Sequence, residues 1–162
     1  MSLDDIDAKL LNAIQENCRL TSEELSKIAH LSPTACQRRL RRLRDSGVIE
    51  AEVAILAPRA VGRPISMLVL VSLAREHTDI IDNFKRAIRS CPEIMSGYYV
   101  TGDTDFVLTV TAESMEAYEH FSRDFFYRNQ YVKSFKTLVV MDRIKASFAL
   151  PVEATPMQQN ES

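Results

Sequence analysis

Residues 31–49 read LSPTACQRRLRRLRDSGVI and concentrate positive charge in a short stretch. Five of the seven residues at positions 38–44 are arginines: Arg38, Arg39, Arg41, Arg42 and Arg44. Ser32 followed by Pro33 is typical of a helix N-cap and first turn, because proline lacks the N–H that is unsatisfied there. Gly47 is typical of the residue just after a helix end. The stretch therefore predicts a helix over residues 33–46.

A helical projection of this stretch separates an apolar face from a charged face. At about 100° per residue, Cys36, Leu40 and Leu43 fall on one side and are expected to be buried. The opposite side carries Thr34, Arg38, Arg41 and Asp45. Arginines three and four positions apart repel one another unless an anion compensates them. We interpret this face as a surface for an absent polyanion; the alternative is an ordinary solvated face.

Two further helices precede this one. Apolar residues recur at helical spacing over residues 4–17, at Ile6, Leu10, Leu11 and Ile14. Thr21 and Glu24 have the spacing of a capping box and begin a short helix that ends at His30. A short helix, a tight turn and an arginine-faced helix predict a helix-turn-helix, whose second helix fits the DNA major groove. Residues 48–56, VIEAEVAIL, are predicted to form the two-stranded wing, with a structural role.

Bulk composition narrows the function classes. The chain has 162 residues, a net charge of −2 and a hydrophobic fraction of 46%, as in ordinary globular proteins. Residues 1–60 contain nine basic and nine acidic side chains, so the positive field is local, which favours one docking face over a nonspecific coat. No apolar run suits a membrane span, and the acidic N-terminus is unlike a signal peptide. We expect a cytoplasmic location and no membrane partner.

The three cysteines indicate neither a disulfide framework nor a metal site. Cys18, Cys36 and Cys91 are odd in number, far apart and outside any zinc-ligand spacing. The three histidines lie in unrelated positions, and no phosphate loop or nucleophile motif is present. We expect no metal, no cofactor and no enzymatic activity.

The second half of the chain has a different pattern. Residues 56–64 contain two prolines and a glycine and are predicted to be a linker. The segments that follow are predicted as a strand over 66–74, a helix over 79–88, two strands over 93–112 joined at 102–104, a helix over 113–127 and a strand over 132–144. The order βαββαβ predicts a ferredoxin-like sheet with both helices on one face. The fold class is therefore α+β, a winged helix-turn-helix followed by a ferredoxin-like domain.

The predicted domains are residues 1–55 for DNA binding, 56–64 as linker, 65–150 as a ferredoxin-like oligomerisation domain, and 151–162 as a polar tail. Removal of this tail is expected to leave DNA binding unchanged. Residues 67–73 and 138–141 are apolar on both sides, whereas the two helices cover one face only. A second copy of the chain is the simplest cover for the other face, so we predict a homodimer.

Two long segments carry a resemblance to a known family. They are LDDIDAKLLNAIQENCRLTSEELSKIAHLSPTACQRRLRRLRDSGVI at residues 3–49 and CPEIMSGYYVTGDTDFVLTV at residues 91–110. In this order and at this spacing, they resemble the Lrp/AsnC (feast/famine) family of bacterial and archaeal transcriptional regulators, over about residues 3–151. The resemblance implies a DNA-binding regulator with a C-terminal effector-sensing (RAM) domain, amino acids or close relatives as effectors, and dimers that assemble further, as in octamers.

Carried onto this sequence, the resemblance implies two sets of site residues. The DNA-reading positions fall on Ser32, Pro33, Thr34, Gln37, Arg38 and Arg41, while Arg39 and Arg42 are assigned to phosphate contacts or ion pairs. The effector positions, in a cleft between dimers, fall on Tyr99, Thr101, Gly102, Asp103, Asp105, Ser134 and Thr137. Two departures from the family pattern are His30, where glycine or asparagine is usual, and Thr104, where an aromatic residue is common.

Two other hypotheses remain open from the sequence. One is an architectural DNA-binding protein without small-molecule control, which would show weak sequence preference. The other is a thiol-sensing regulator that uses Cys18, Cys36 or Cys91. Cys36 lies on the predicted apolar face of the arginine-rich helix, which favours a buried and inert thiol.

Overall fold

The structure is a computed structural model that describes residues 2–74 and 77–154. The chain divides into two compact units. One contains the residues up to Ala54 together with those from Lys145 onward, and the other contains Ile55–Ile144. Within the described residues, no helix is long and apolar enough to cross a membrane.

The N-terminal unit contains three helices: α1 (Asp5–Glu16), α2 (Ser22–Ala29) and α3 (Pro33–Asp45). Their shared core consists of Leu10, Leu11, Leu25, Ala29, Cys36, Leu40 and Leu43. The apolar residues predicted for the third helix are thus confirmed as buried, with Cys36 and Leu43 fully enclosed. Gly47 follows the end of α3 with a φ of 76°, the left-handed conformation that glycine adopts readily.

The segment after α3 differs from the prediction. Residues 48–57 form no strand, so the predicted two-stranded wing is wrong for this chain as the structure describes it. Val53, Ile55 and Leu56 are between 62% and 70% exposed. A strand requires a neighbour that satisfies its backbone groups, and alternating sequence alone does not supply one.

The Ile55–Ile144 unit begins with a 3-10 turn, Pro58–Val61, within the predicted linker. It continues as β1 (Ile65–Leu73), α4 (Thr78–Ser90), β2 (Ile94–Tyr99), β3 (Phe106–Ala112), α5 (Met115–Ser122) and β4 (Val132–Val139). A π-helical turn, Arg123–Tyr127, extends α5. All neighbouring strands are antiparallel in the order β2-β3-β1-β4, which confirms the predicted ferredoxin-like sheet.

Both helices cover the same face of this sheet. Phe84 of α4 and Tyr118 of α5 lie in one buried cluster with Met67, Val69 and Val71 of β1. Alternation along the strands places Leu68, Leu70 and Val107 on the other face, with Leu68 directly opposite Leu138. Leu68 and Leu138 are 38% and 41% exposed, respectively. One face of the sheet is thus uncovered within a single chain, and on it Leu68 and Leu70 lie beside the polar Thr109 and Lys136.

The last strand and the C-terminal segment also differ from expectation. β4 ends at Val139, five residues before the predicted end at 144. The Val140 N–H still donates to the Ser66 carbonyl of β1 at 2.9 Å. Residues 145–150, which we assigned to the sensing domain, belong to the N-terminal unit. Val152, in the predicted polar tail, packs against the helical core.

Candidate DNA interface and effector site

The helix-turn-helix is built by local capping. Thr21 and Glu24 form the predicted capping box, since the Glu24 N–H donates to the Thr21 hydroxyl at 3.2 Å and the Thr21 N–H donates to the Glu24 carboxylate at 2.7 Å. His30 ends α2 in the left-handed conformation, with a φ of 54°. The Ser32 hydroxyl then caps α3 by accepting the Ala35 N–H at 3.3 Å. The turn therefore holds His30 in a conformation that glycine or asparagine adopts more readily.

The arginines of α3 fall into two groups, and the first is held by carboxylates from elsewhere in the fold. Arg39 donates to Asp4 at 2.6 Å and to Asp7 at 2.8 Å. Arg42 donates to Asp7 at 2.5 Å. The two hydrogen bonds from Arg39, first the one to Asp4 and then the one to Asp7, raise the pKa of its guanidinium above the ordinary value.

Arg44 is paired in the same way. Its guanidinium binds the Glu52 carboxylate with two hydrogen bonds, of 2.8 and 3.2 Å, and this contact raises the pKa of Arg44. Three of the five arginines thus have carboxylate partners. The repulsion expected between arginines four positions apart is relieved at Arg42 by Asp7 of α1, and Arg39 and Arg42 make ion pairs, which is one of the two roles assigned to them.

The second group consists of Arg38 and Arg41. Both are exposed, and neither makes a salt bridge within the described residues. Thr34 lies exposed on the same face of α3. Gln37, at one edge of this face, donates to the Ser22 hydroxyl of α2 at 2.7 Å. The predicted DNA-reading residues therefore form one surface at the start and middle of α3.

The predicted effector residues cluster only in part. Thr101, Gly102 and Asp103 are exposed in the turn between β2 and β3, and Gly102 has a φ of 120°. The Asp105 carboxylate accepts the Leu73 N–H at 2.6 Å. The Thr104 hydroxyl donates to the Val71 carbonyl at 2.8 Å. These last two side chains fasten the turn to the end of β1.

The remaining effector positions lie on strands. Tyr99 ends β2 with its ring against Phe106 and with the Lys85 ammonium 4.8 Å from its centroid. Ser134 and Thr137 are three positions apart on β4, so their side chains point to opposite faces of the sheet. The Thr137 hydroxyl is hydrogen-bonded to the buried Tyr118 hydroxyl at 2.5 Å, beneath α5. One chain therefore does not bring Thr137 together with the turn.

Two clefts of about 530 and 580 Å³ lie in this unit. Both are lined by Asp124 and Phe125 of the π-helical turn, and none of the seven predicted effector residues lines either of them. The turn between β2 and β3 is open in a single chain. The implied location of the effector cleft between copies of the protein stays a prediction.

The two parts of the chain match known families separately. Residues 3–50 match a family described as winged helix-turn-helix DNA-binding, and residues 66–150 match the Lrp/AsnC ligand binding domain. The chain belongs to the Lrp/AsnC family. It is a DNA-binding transcriptional regulator with a C-terminal ligand-binding domain.

Individual Lrp/AsnC relatives match over nearly the full length. The chain is 63% identical over 153 residues to an HTH-type transcriptional regulator of Sinorhizobium fredii, covering 94% of this chain and 90% of the relative. It is 34% identical to the leucine-responsive regulatory protein of Escherichia coli, with 93% and 92% covered. Its structure resembles a transcriptional regulator of Neisseria meningitidis in complex with L-Met, with a TM-score of 0.87, 35% identity, and 93% and 97% covered.

Three acidic residues that pair with the arginines of α3 were not predicted from the sequence of this Lrp/AsnC chain. Asp4, Asp7 and Glu52 decide which arginines stay free, although none lies within α3. A signal for Asp7 was present in the sequence. It lies three and four residues before Leu10 and Leu11, which places a carboxylate on the apolar face of α1.

Proposed function

We propose that this Lrp/AsnC regulator recognises DNA bases through Arg38 and Arg41, with Thr34 and Gln37 beside them and the Ser32–Pro33 cap against the phosphate backbone. The observation that carries this proposal is the exposure of Arg38 and Arg41 on one helix face without salt-bridge partners in the described chain. A guanidinium group binds guanine O6 and N7 in bidentate fashion in the major groove. Arg39 and Arg42 are left out because Asp4 and Asp7 bind them.

The test is selection of bound duplexes from a random pool by the full-length chain. We expect an enriched motif with two half-sites separated by about one helical turn, or a multiple of it, because a two-fold dimer presents two copies of α3. A pool that stays random, with tight but unselective binding, would support an architectural protein and contradict specific recognition.

We propose an amino acid as the effector, bound at the turn between β2 and β3 where neighbouring copies meet. Thr101, Gly102 and Asp103 offer exposed polar groups there, with Tyr99, Asp105 and Ser134 at the margins. The complex of the Neisseria regulator with L-Met supports this class of ligand. A carboxylate suits the ligand ammonium group, and backbone N–H groups suit its carboxylate.

The effector test is a thermal-shift screen against the twenty amino acids. A ligand that binds the folded state raises the melting temperature by mass action. Asp103→Asn is the matched variant, because Asp105 already binds the Leu73 N–H and its loss would disturb the fold. A shift that is lost in Asp103→Asn supports the site. A shift that persists places the ligand elsewhere, and no shift with any compound contradicts amino-acid control.

We propose that the working form is a homodimer joined through the uncovered sheet face, with further assembly to octamers as the family resemblance implies. Leu68, Leu70 and Leu138 on this face support the arrangement, since exposed apolar side chains favour association. We also propose a cytoplasmic location, where a bacterial or archaeal regulator meets its DNA.

A further inference from the structure

Asp7 is a buried carboxylate within the DNA-binding unit. Its side chain is 1% exposed, and it lies on the face of α1 that packs against the helical core. A charge removed from water is stable only when ion pairs and hydrogen bonds compensate it. The groups around Asp7 therefore decide what α3 is able to present to DNA.

Both oxygens of Asp7 are occupied. Oδ1 accepts a hydrogen bond from Arg39 at 2.8 Å, and Oδ2 accepts one from Arg42 at 2.5 Å. The Asp4 N–H also donates to Oδ2, at 3.4 Å, as part of the cap of α1. A single carboxylate thus joins the start of α1 to two consecutive turns of α3.

Arg42 is the critical partner, because its position brings it near the proposed DNA surface. It follows Arg38 by four residues, so only ~40° of helix rotation separates the two side chains. Its side chain is 49% exposed, whereas that of Arg39 is 24% exposed. If Arg42 turned to a phosphate, Oδ2 of the buried carboxylate would keep only the long contact with Asp4.

We propose that Asp7 is a specificity-determining positioning residue. By binding Arg42 and Arg39, it withholds these guanidinium groups from the sequence-independent DNA backbone and fixes α3 against α1. Binding then depends on Arg38 and Arg41, which reach the bases. This inference rests on the proposed recognition of DNA through the exposed face of α3.

The first experiment counts phosphate contacts by salt dependence. The dissociation constant of the full-length chain is measured against KCl concentration on a duplex selected by the wild type and on a scrambled duplex. Each phosphate contact contributes about 0.9 to the log–log slope. Arg42→Gln is expected to keep the wild-type slope on both duplexes, since Arg42 is bound to Asp7. A slope shallower by about 0.9 in Arg42→Gln would show that Arg42 binds a phosphate, which overturns the proposal.

Failure of the DNA surface itself has a different signature. If Arg38→Gln and Arg41→Gln leave both the affinity and the sequence preference unchanged, the proposed recognition face is wrong and the role of Asp7 falls with it. If those two variants impair recognition while Arg42→Gln loses a phosphate contact, only the role of Asp7 is overturned.

The second experiment removes the charge of Asp7, so that Arg42 loses its partner. Asp7→Asn is expected to steepen the slope by about 0.9, as Arg42 gains a phosphate, and to lower the ratio of selected to scrambled affinity several-fold. Asp5→Asn is the matched control, because Asp5 is exposed on the same helix without a salt bridge in the described chain. Arg42→Gln added to Asp7→Asn should restore the wild-type slope. If a folded Asp7→Asn protein instead has the same salt slope and affinity ratio as Asp5→Asn, Asp7 does not set specificity.

Discussion

At the scale of single residues, the arginines of α3 differ by their partners and not by their type. Arg39 and Arg42 bind a carboxylate that is 1% exposed, where each lost partner leaves a buried charge. Arg38 and Arg41 project into solvent, where an ion pair with DNA costs little reorganisation. The same side chain thus serves structure at two positions and is available for recognition at two others.

Arg41→Ala tests the recognition role. We expect specific binding to weaken by about 1–3 kcal/mol and sequence preference to relax at one position of each half-site. Arg44→Ala is the control, because Arg44 is held by Glu52. Affinities for single-base variants of the selected duplex give the measurement. An equal loss on every sequence would assign Arg41 to a phosphate instead.

At the scale of elements, two capping boxes begin α1 and α2. The Asp7 N–H, followed by Arg39, lowers the pKa of Asp4, and the Thr21 N–H lowers the pKa of Glu24. In both cases the ionised carboxylate accepts the hydrogen bonds that the helix start requires. The hydrogen bonds to these two carboxylates therefore stabilise the fold most while the carboxylates are charged.

Acid should weaken the N-terminal unit through these caps. Because both pKa values are lower in the folded protein, the unfolded chain takes up protons first as the pH falls. The stabilisation is present in full above about pH 5 and is lost progressively below about pH 4. Thermal melting followed by circular dichroism at several pH values checks this. On acidification, the melting temperature of the double variant Asp4→Asn, Glu24→Gln should fall less than that of the wild type. An equal fall in both proteins would contradict the role of the two carboxylates.

The C-terminal segment is a second element with an unexpected position. The Gln15 side chain donates to the Leu150 carbonyl at 3.0 Å and accepts its N–H at 2.7 Å. The Asn12 amide donates to the Val152 carbonyl at 3.0 Å. Residues 150–152 thus lie against α1, as part of the DNA-binding unit.

Val152→Asp is expected to lower the free energy of unfolding of the N-terminal unit by about 1–3 kcal/mol, because it places a charge against an apolar core. Glu153→Gln, one residue further, is the control. Denaturant unfolding of the full-length chain gives the measurement. If Val152→Asp unfolds at the same denaturant concentration as the wild type, the segment contributes nothing to this unit.

At the scale of the whole molecule, the sheet has one covered and one uncovered face. α4 and α5 bury Met67, Val69 and Val71, while Leu68 and Leu138 remain partly exposed on the reverse side. Leucines exposed together on an open sheet face favour association with another protein surface. Association through this face would also bring two DNA-binding units into one assembly.

Leu68→Lys should convert the proposed dimer to a monomer, because a lysine within the proposed interface buries an unpaired charge. Met115→Lys is the control, since Met115 is 50% exposed on α5, on the helical side of the sheet. Light scattering after size-exclusion chromatography gives the mass of each variant. A Leu68→Lys protein that keeps the wild-type mass would place the subunit contact elsewhere.

Most of the fold could be predicted from local signals. Caps at Thr21 and Ser32, the glycine after α3 and the strand and helix periods depend on residues only a few positions apart. The predicted wing failed because alternation at residues 48–56 does not by itself supply a pairing partner. β4 is shorter than predicted, and its pairing with β1 ends where Val139 lies opposite Met67.

The sequence by itself determined the order of elements, the helix-turn-helix and the face of α3 that carries Arg38 and Arg41, because helical rotation and capping are properties of neighbouring residues. Only the tertiary structure decided which arginines are free. Asp7 meets Arg39 and Arg42 across more than 30 positions of sequence, and Glu52 meets Arg44 from beyond the helix end. These charged partners are distant in sequence and meet only in the folded chain, so the packing of α1 against α3 decides the pairing of Asp7.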